Sequence, residues 1–159
     1  MMKVILLTFL LPFFCVPKEF HAQRVWLFSK TQYSGNVPRM PGGQQAKGYT
    51  SSLICFLEIK KGSTAPVWQS AYFNHIKYTI EAEPVNQDSV VIGTLKNTNT
   101  PAVVKTTAAC RLIQLNLTEE DQGGKVETKV FTLKGKMNKT AVFLKSNEPV
   151  VELSPALMP

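Results

Sequence analysis

The sequence predicts an all-β protein, an antiparallel β-sandwich or a small β-barrel of about eight strands with little helix. Short apolar runs alternate with clusters of glycine, proline, asparagine and aspartate along most of the chain, which is the pattern of strands joined by turns. No segment has apolar residues recurring at intervals of three and four, as an amphipathic helix would. Periodicity alone does not distinguish a sandwich from a barrel.

Residues 1–22 have the pattern of a cleaved export signal. A basic start precedes an apolar run over residues 4–11 that is interrupted only by Thr8. The run is shorter than the roughly 20 apolar residues that a membrane-spanning helix needs. We predict a cut between Ala22 and Gln23, although Phe20 is larger than the residue usually found three positions before a cut. The mature protein is expected to be secreted, periplasmic or extracellular, with no transmembrane segment.

The rest of the chain is predicted to form one domain. Residues 23–50 hold an N-terminal strand (24–29) and a loop rich in glycine and proline (34–48), and residues 51–159 hold the main β-domain. The chain carries a net charge of +7, which favours attraction to anionic polysaccharide, lipid headgroups or nucleic acid. The same charge is also common on soluble domains without such partners.

The strands after the loop follow from alternation and from the turn residues between them. Residues 72–83 are the clearest strand, with Tyr72 and Tyr78 on one face and Phe73 on the opposite, polar face. Residues 102–117 form either two strands or one long bent strand. The predicted strands are residues 53–60, 72–83, 89–95, 102–117, 125–134, 140–145 and 150–153.

Cys55 and Cys110 are the two cysteines outside the predicted signal. One pair in an exported chain favours a disulfide between them, and the alternative is two separate buried thiols. Strand phase weakens the case for a bridge. The apolar row of the second strand begins at Ile113, which lies on the face opposite to Cys110, so a bulge would be needed.

The sequence offers little for catalysis, and no catalytic residue, metal site or cofactor is predicted. His75 is the only histidine outside the predicted signal, so no multi-histidine metal site can form. The acidic residues at 81 and 83 lie on the polar face of a strand, and those at 119–121 lie beside turn glycines, which are ordinary solvated positions. No phosphate-binding glycine loop or dinucleotide fingerprint occurs.

The lysines of a C-terminal hairpin are the most suggestive feature. Two strands flank a predicted turn over residues 135–139, and lysines on both could bind phosphate, sulfate or carboxylate groups. Lysines on edge strands also prevent aggregation, which explains them without a ligand. No aromatic ladder interleaves them, which disfavours nucleic acid as a partner.

Two aromatic residues are further candidates for exposed contacts. Trp68 stands just before a strand, where loops meet the end of a sheet, and Phe73 falls on a polar strand face. Together with the hairpin lysines they complete the predicted binding set. The candidate binding residues are Trp68, Phe73, Lys129, Lys134, Lys136 and Lys139.

Asn116 and Asn138 each begin an N-glycosylation pattern. The pattern has meaning only if the source secretes through a glycosylating pathway. Asn138, in the predicted hairpin turn, is expected to be the more accessible of the two.

These features favour an exported, non-enzymatic β-domain that acts by surface binding to an anionic polysaccharide, the cell envelope or a protein at a cell surface. The alternative is a small barrel that carries an apolar molecule in a cavity lined by Tyr72, Ile76, Tyr78 and the row beginning at Ile113. A secreted hydrolase with converging carboxylates comes third. The fold class alone selects none of these, because sandwiches and barrels host many unrelated functions.

Overall fold

The computed structural model describes residues 17–33, 49–98, 100–120 and 130–157. All regular structure within these ranges is β, as the sequence predicts, and none of their residues forms a helix able to cross a membrane. The predicted loop over 34–48 lies outside them. The strands they contain are β1 (Lys18–Glu19), β2 (Arg24–Tyr33), β3 (Tyr49–Lys60), β4 (Val67–Phe73), β5 (Ile76–Val85), β6 (Ser89–Thr94), β7 (Pro101–Lys105), β8 (Cys110–Glu119), β9 (Phe131–Met137), β10 (Thr140–Ser146), β11 (Val150–Glu152) and β12 (Ala156–Leu157).

One mixed sheet contains all of these strands except β6 and β7. Its order is β1-β10-β9-β4-β5-β8-β3-β2-β11, and β12 also pairs with β2. Neighbouring strands are antiparallel, except that β1 runs parallel to β10 and that β11 and β12 run parallel to β2. The sheet curls into a half-barrel, which confirms the predicted class of sandwich or barrel.

The inner face of the half-barrel carries the larger core. Successive side chains of a strand point to opposite faces, so each strand contributes every second residue. Leu27 on β2 and Leu144 on β10 belong to the same cluster although their strands lie near opposite ends of the sheet order, because the sheet wraps around it. We call this cluster the inner core: Leu27, Leu53, Cys55, Leu57, Ile59, Trp68, Ala71, Tyr78, Ile113, Leu115, Leu117, Phe131, Leu133, Val142 and Leu144.

A second core lies on the opposite, outer face of β2, β3 and β8. The separate hairpin β6–β7 covers this face and contributes Ala102 and Val104. Phe28 and Phe56 meet there edge to face, with ring centroids 6.2 Å apart, a geometry that aromatic pairs prefer. We call this cluster the outer core: Phe28, Phe56, Ala102, Val104, Leu112 and Leu153.

In the structure one predicted strand divides into two, one alternative left open by the sequence is decided, and one predicted turn is shorter. The predicted strand 72–83 is two strands, because Asn74 and His75 both have positive φ and form the tight turn that joins β4 to β5. The predicted stretch 102–117, for which one or two strands were expected, is two strands, β7 and β8. The hairpin turn predicted over 135–139 narrows to residues 138–139, so that β9 continues through Gly135.

Residues that the sequence assigns to the export signal take part in the sheet. Lys18 and Glu19 form β1 on the edge of β10, and the Phe20 amide donates to the carbonyl oxygen of Phe143 at 2.7 Å. Phe20 and Ala22 pack against the inner core. The predicted cut after Ala22 would therefore remove part of the fold described here.

The predicted disulfide is not formed, and both cysteines are free and buried. Cys55 pairs with Leu115 across the β3–β8 ladder, whereas Cys110 pairs with Lys60 at its far end. Five residues of strand separate them, about 16 Å at 3.3 Å per residue, whereas bridged cysteines have Cα atoms within about 7 Å. The two thiols also lie on opposite faces of the sheet, as their strand phase indicates.

Candidate functional site

Three lysines lie on the outer face of β9 and β10. Lys134 and Lys136 occupy alternate positions of β9, and Lys145 lies on β10. The register places Lys134 opposite Phe143, Lys136 opposite Ala141 and Lys145 opposite Thr132. Because the intervening residues of both strands point into the inner core, all three ammonium groups extend from one surface.

Two of these lysines are positioned by aromatic rings on the same face. The Nζ atom of Lys134 lies 4.7 Å from the centre of the Tyr72 ring, and that of Lys145 lies 5.7 Å from the centre of the Phe143 ring. Such cation–π contacts are worth about 0.5–1 kcal/mol at exposed sites. They place two of the three ammonium groups beside aromatic rings on the exposed face.

The lysines surround an open groove of about 420 Å³. Its floor is mainly apolar and includes Pro17, Ala141 and Phe143, while Gln69 and Thr132 supply neutral polar groups. Within the described residues none of the three lysines forms an ion pair, since the ion pairs found there involve Arg24, Lys77 and Lys96. We call this site the lysine groove: Pro17, Gln69, Thr132, Lys134, Gly135, Lys136, Ala141, Val142, Phe143 and Lys145.

Gly135 allows the wall of the groove to form. At this point the register of β4 against β9 shifts between Trp68 and Ser70, which leaves Gln69 as an extra residue at the groove. A Cβ atom on Gly135 would lie 3.0 Å from the Cα atom of Trp68 and still closer to the Val67 carbonyl oxygen. Glycine in a strand often marks such a close approach of two backbones.

The structure brings together only part of the predicted binding set. Lys134 and Lys136 line the groove, and Lys139 lies exposed in the turn beyond it. Lys129 is outside the described residues. Lys145 belongs to the predicted lysine hairpin but not to the predicted binding set, Tyr72 was expected to line an internal cavity, and Phe143 was predicted for no site. Strand phase carried a usable signal, because Phe143 shares the polar face of β10 with Lys145.

Trp68 is not an exposed aromatic contact, so this prediction is wrong. Its side chain is buried in the inner core, with 6% of its surface exposed. The ring of Phe20 packs against it edge to face, with centroids 5.6 Å apart. Trp68 lies within β4 and not in a loop before it, and its strand position points inwards.

The prediction that Phe73 lies on a polar strand face is also wrong. The turn at residues 74–75 reverses the chain, so Phe73 and Tyr78 belong to different strands and their phases are independent. Phe73 packs against the inner core and meets Phe131 with ring centroids 6.4 Å apart. Tyr72, predicted to lie inside, is instead the aromatic residue on the outer face of β4 beneath Lys134.

A second cavity, of about 370 Å³, lies at one end of the half-barrel. Burial of the phenol and the nearby Glu119 carboxylate raise the pKa of Tyr78, so its hydroxyl remains neutral at ordinary pH. Glu152, which also lines this cavity, forms an ion pair with Lys96. The lining residues are Ser29, Ser51, Leu53, Phe73, Asn74, Ile76, Tyr78, Glu119, Val150 and Glu152.

The two predicted glycosylation positions differ in exposure. Asn138 lies exposed in the β9–β10 turn, where its φ is positive. Asn116 lies in the middle of β8, half-buried, and its side-chain oxygen accepts a hydrogen bond from Gln114 at 2.8 Å. No group of three or more histidine, cysteine, aspartate or glutamate residues in the described ranges could hold a metal ion.

No protein-family model matches this chain, and no match was found among curated proteins or solved structures. The function must therefore be inferred from the chemistry of the lysine groove and of the second cavity.

Proposed function

We propose that this protein is an exported, non-enzymatic binding domain whose lysine groove holds an acidic polysaccharide. The observation that carries the proposal is the convergence of Lys134, Lys136 and Lys145 over an apolar floor with no carboxylate among the groove residues. Three ammonium groups without an ion-pair partner among the described residues can bind anions without first breaking an internal pair.

The shape and the lining of the groove favour a polysaccharide over a simple inorganic anion. A sugar ring has an apolar C–H face that can stack on an aromatic ring such as Phe143, while its carboxylate or sulfate groups reach the lysines. The groove is open, so a chain can pass through it without threading an end. Uronate and sulfate groups are held by charge with little demand on direction, which suits lysine.

Isothermal titration calorimetry with heparin and alginate oligosaccharides tests this proposal. The variant K134Q/K136Q/K145Q removes the three groove charges, and we expect it to weaken binding at least about tenfold, equivalent to about 1.4 kcal/mol. The matched control K60Q/K61Q/K105Q removes the same net charge from exposed strand ends elsewhere. It should retain most of the affinity.

A third variant separates the floor from the charges. Phe143→Ala retains all three lysine charges and removes only the aromatic ring beside Lys145. We expect weaker binding of the oligosaccharides with little change in the binding of inorganic polyphosphate, which has no apolar face. An equal loss of affinity in the two lysine triple variants would show that only net charge matters. That result would reject the groove as the binding site.

The second cavity keeps a different function open, that of a carrier for a small apolar molecule. Leu53, Phe73, Ile76 and Tyr78 line it, and its volume lies at the lower end of the roughly 300–1,000 Å³ of ligand pockets. It includes two of the predicted lining residues, but Tyr72 lies on the outer face and Ile113 is buried in the inner core. Native mass spectrometry that finds a bound small molecule after gentle purification would favour the carrier.

A further inference from the structure

The segment over residues 17–22 joins the two ends of the half-barrel. At one end, β1 pairs with β10, which otherwise presents an edge, and Phe20 donates its amide to Phe143. At the other end, the amide of Gln23 donates to the carbonyl oxygen of Glu58 at 2.8 Å, just before β2 begins beside β3. Within a few residues, the chain therefore crosses from β10, near one end of the sheet, to β3 and β2, near the other end.

The same segment also closes the inner core. Phe20 and Ala22 pack against the buried cluster, and the Phe20 ring meets Trp68 edge to face. Pro17 lines the lysine groove. Without these residues, the backbone groups of β10 that pair with β1 would lose their hydrogen-bond partners, and the Trp68 ring would lose its contact with Phe20. Both changes are costly, since unpaired strand edges and exposed aromatic surface favour aggregation.

We infer that residues 17–22 are retained in the mature protein, so that any leader is removed upstream of Pro17 and not between Ala22 and Gln23. A leader peptidase would hydrolyse one peptide bond, adding one water molecule, with a new amino group on the retained chain and a carboxyl group on the released leader. Phe20 agrees with this position of the cut, because a bulky residue three positions before a cut is unfavourable for leader peptidases. The inference does not depend on the ligand of the lysine groove.

The full chain, produced in a host that exports it and removes leaders, provides the test. The N-terminus of the folded, exported protein is read by N-terminal sequencing and checked by intact mass. We expect the N-terminus at Pro17 or upstream of it, including the case of an uncleaved chain. An N-terminus at Lys18 or any later residue, Gln23 above all, would overturn the inference.

Two variants of the full chain give an independent measurement. Phe20→Lys places a charge against the inner core without creating the small residue that a cut after Ala22 would need, and His21→Lys makes the same change at an exposed neighbour. In the exported proteins we expect Phe20→Lys to lower the Tm by at least about 5 °C and His21→Lys to leave it within about 1 °C. If both variants yield the same purified protein with the same Tm, the segment has been removed and the inference fails.

Discussion

At the scale of single residues, Glu58 is a buried carboxylate with several hydrogen-bond partners. Its side chain is 3% exposed on the outer face of β3. It accepts hydrogen bonds from the Thr106 hydroxyl at 2.8 Å and from the Thr107 amide at 3.0 Å, and Arg24 lies 3.8 Å away. Burial alone would raise the pKa of this carboxyl, but the hydrogen bonds and the guanidinium outweigh burial and hold the pKa below its usual value.

This lowered pKa gives stability a defined dependence on pH. Because the pKa of Glu58 is lower in the folded than in the unfolded chain, its contribution is complete above the ordinary value of 4.5 and is lost as pH falls through the folded value. We expect Glu58→Gln to lower the free energy of unfolding by about 1–3 kcal/mol at pH 7. The difference between the wild type and this variant should shrink below about pH 4.5. Urea unfolding between pH 3 and pH 7 measures both effects.

Glu148→Gln is the control for this prediction, because Glu148 is exposed between β10 and β11. It should change stability by less than about 0.5 kcal/mol at pH 7, as surface substitutions usually do. If the wild type and Glu58→Gln differ by the same amount at every pH, the charge of Glu58 contributes nothing and the hydrogen-bond geometry alone matters.

The aromatic residues that were predicted wrongly share one physical cause. The sequence shows whether neighbouring residues alternate in character, but the face that each residue occupies depends on where its strand ends. A two-residue turn at Asn74 reversed the phases assigned to Tyr72 and Phe73. The disulfide was predicted because an exported chain with one pair of cysteines usually bridges them. The alternation of side chains along the strands had placed the two cysteines on opposite faces, and this geometric indication was the correct one.

At the scale of elements, two hairpins use turns that lack glycine. The turns at residues 74–75 and 138–139 each have two successive residues with positive φ, as in the type I′ turns that match the twist of paired strands. Asparagine tolerates this conformation, but His75 and Lys139 occupy it at a cost of about 1 kcal/mol or more. The β9–β10 turn connects two strands of the lysine groove, so the geometry of the turn fixes the register between them.

Lys139→Gly should stabilise the protein, because φ of +68° at this position is strained for lysine and free for glycine. We expect a gain of up to about 1 kcal/mol, with part of the benefit offset by the greater freedom of glycine in the unfolded chain. Thermal unfolding measures the gain. The control is Asn138→Gly, which should gain less because asparagine already tolerates its φ of +48°. A lower stability for Lys139→Gly would contradict the turn geometry.

Most of the strands could be predicted from the sequence, although β1 and β12 were missed and β4 and β5 were merged. The exact ends of the β9–β10 hairpin could not be predicted. Gly135 resembles a turn residue in the sequence. In the structure it lies inside β9, where the absence of a Cβ atom permits close approach to Val67 and Trp68. Glycine is favoured both in turns and where two backbones approach closely. Only the tertiary contact shows which of the two reasons applies at Gly135.

At the scale of the whole molecule, the two cores share a single wall formed by β2, β3 and β8. Leu27 faces the inner core and Phe28 the outer core, and the same alternation occurs at Leu57 and Phe56. The sequence could not reveal that the β6–β7 hairpin covers this wall or that β1 pairs with β10, because both contacts join distant parts of the chain. The alternation of apolar and polar residues identifies a strand, but it does not show which other strand pairs with it.

A shared wall predicts that both cores unfold in one cooperative transition. The chain has two tryptophans, and the structure places Trp68 in the inner core and Trp26 against the outer core. In Trp26→Phe fluorescence therefore reports only the inner core, and in Trp68→Phe only the outer core. We expect the fluorescence and far-UV circular dichroism of each variant to give the same midpoint in urea, because disrupting either core removes support from β2, β3 and β8.

Comparison within each variant removes the effect of the substitution itself on stability, since both signals then come from the same protein. Val104→Ala extends the test, because Val104 is fully buried and belongs only to the outer core. Combined with Trp26→Phe, it should shift the signal of Trp68 to lower urea by an amount equivalent to about 1–3 kcal/mol. If the urea midpoint of the Trp68 signal is unchanged by Val104→Ala, the β6–β7 hairpin detaches before the half-barrel unfolds. In that case the half-barrel would be the unit that keeps the lysine groove intact.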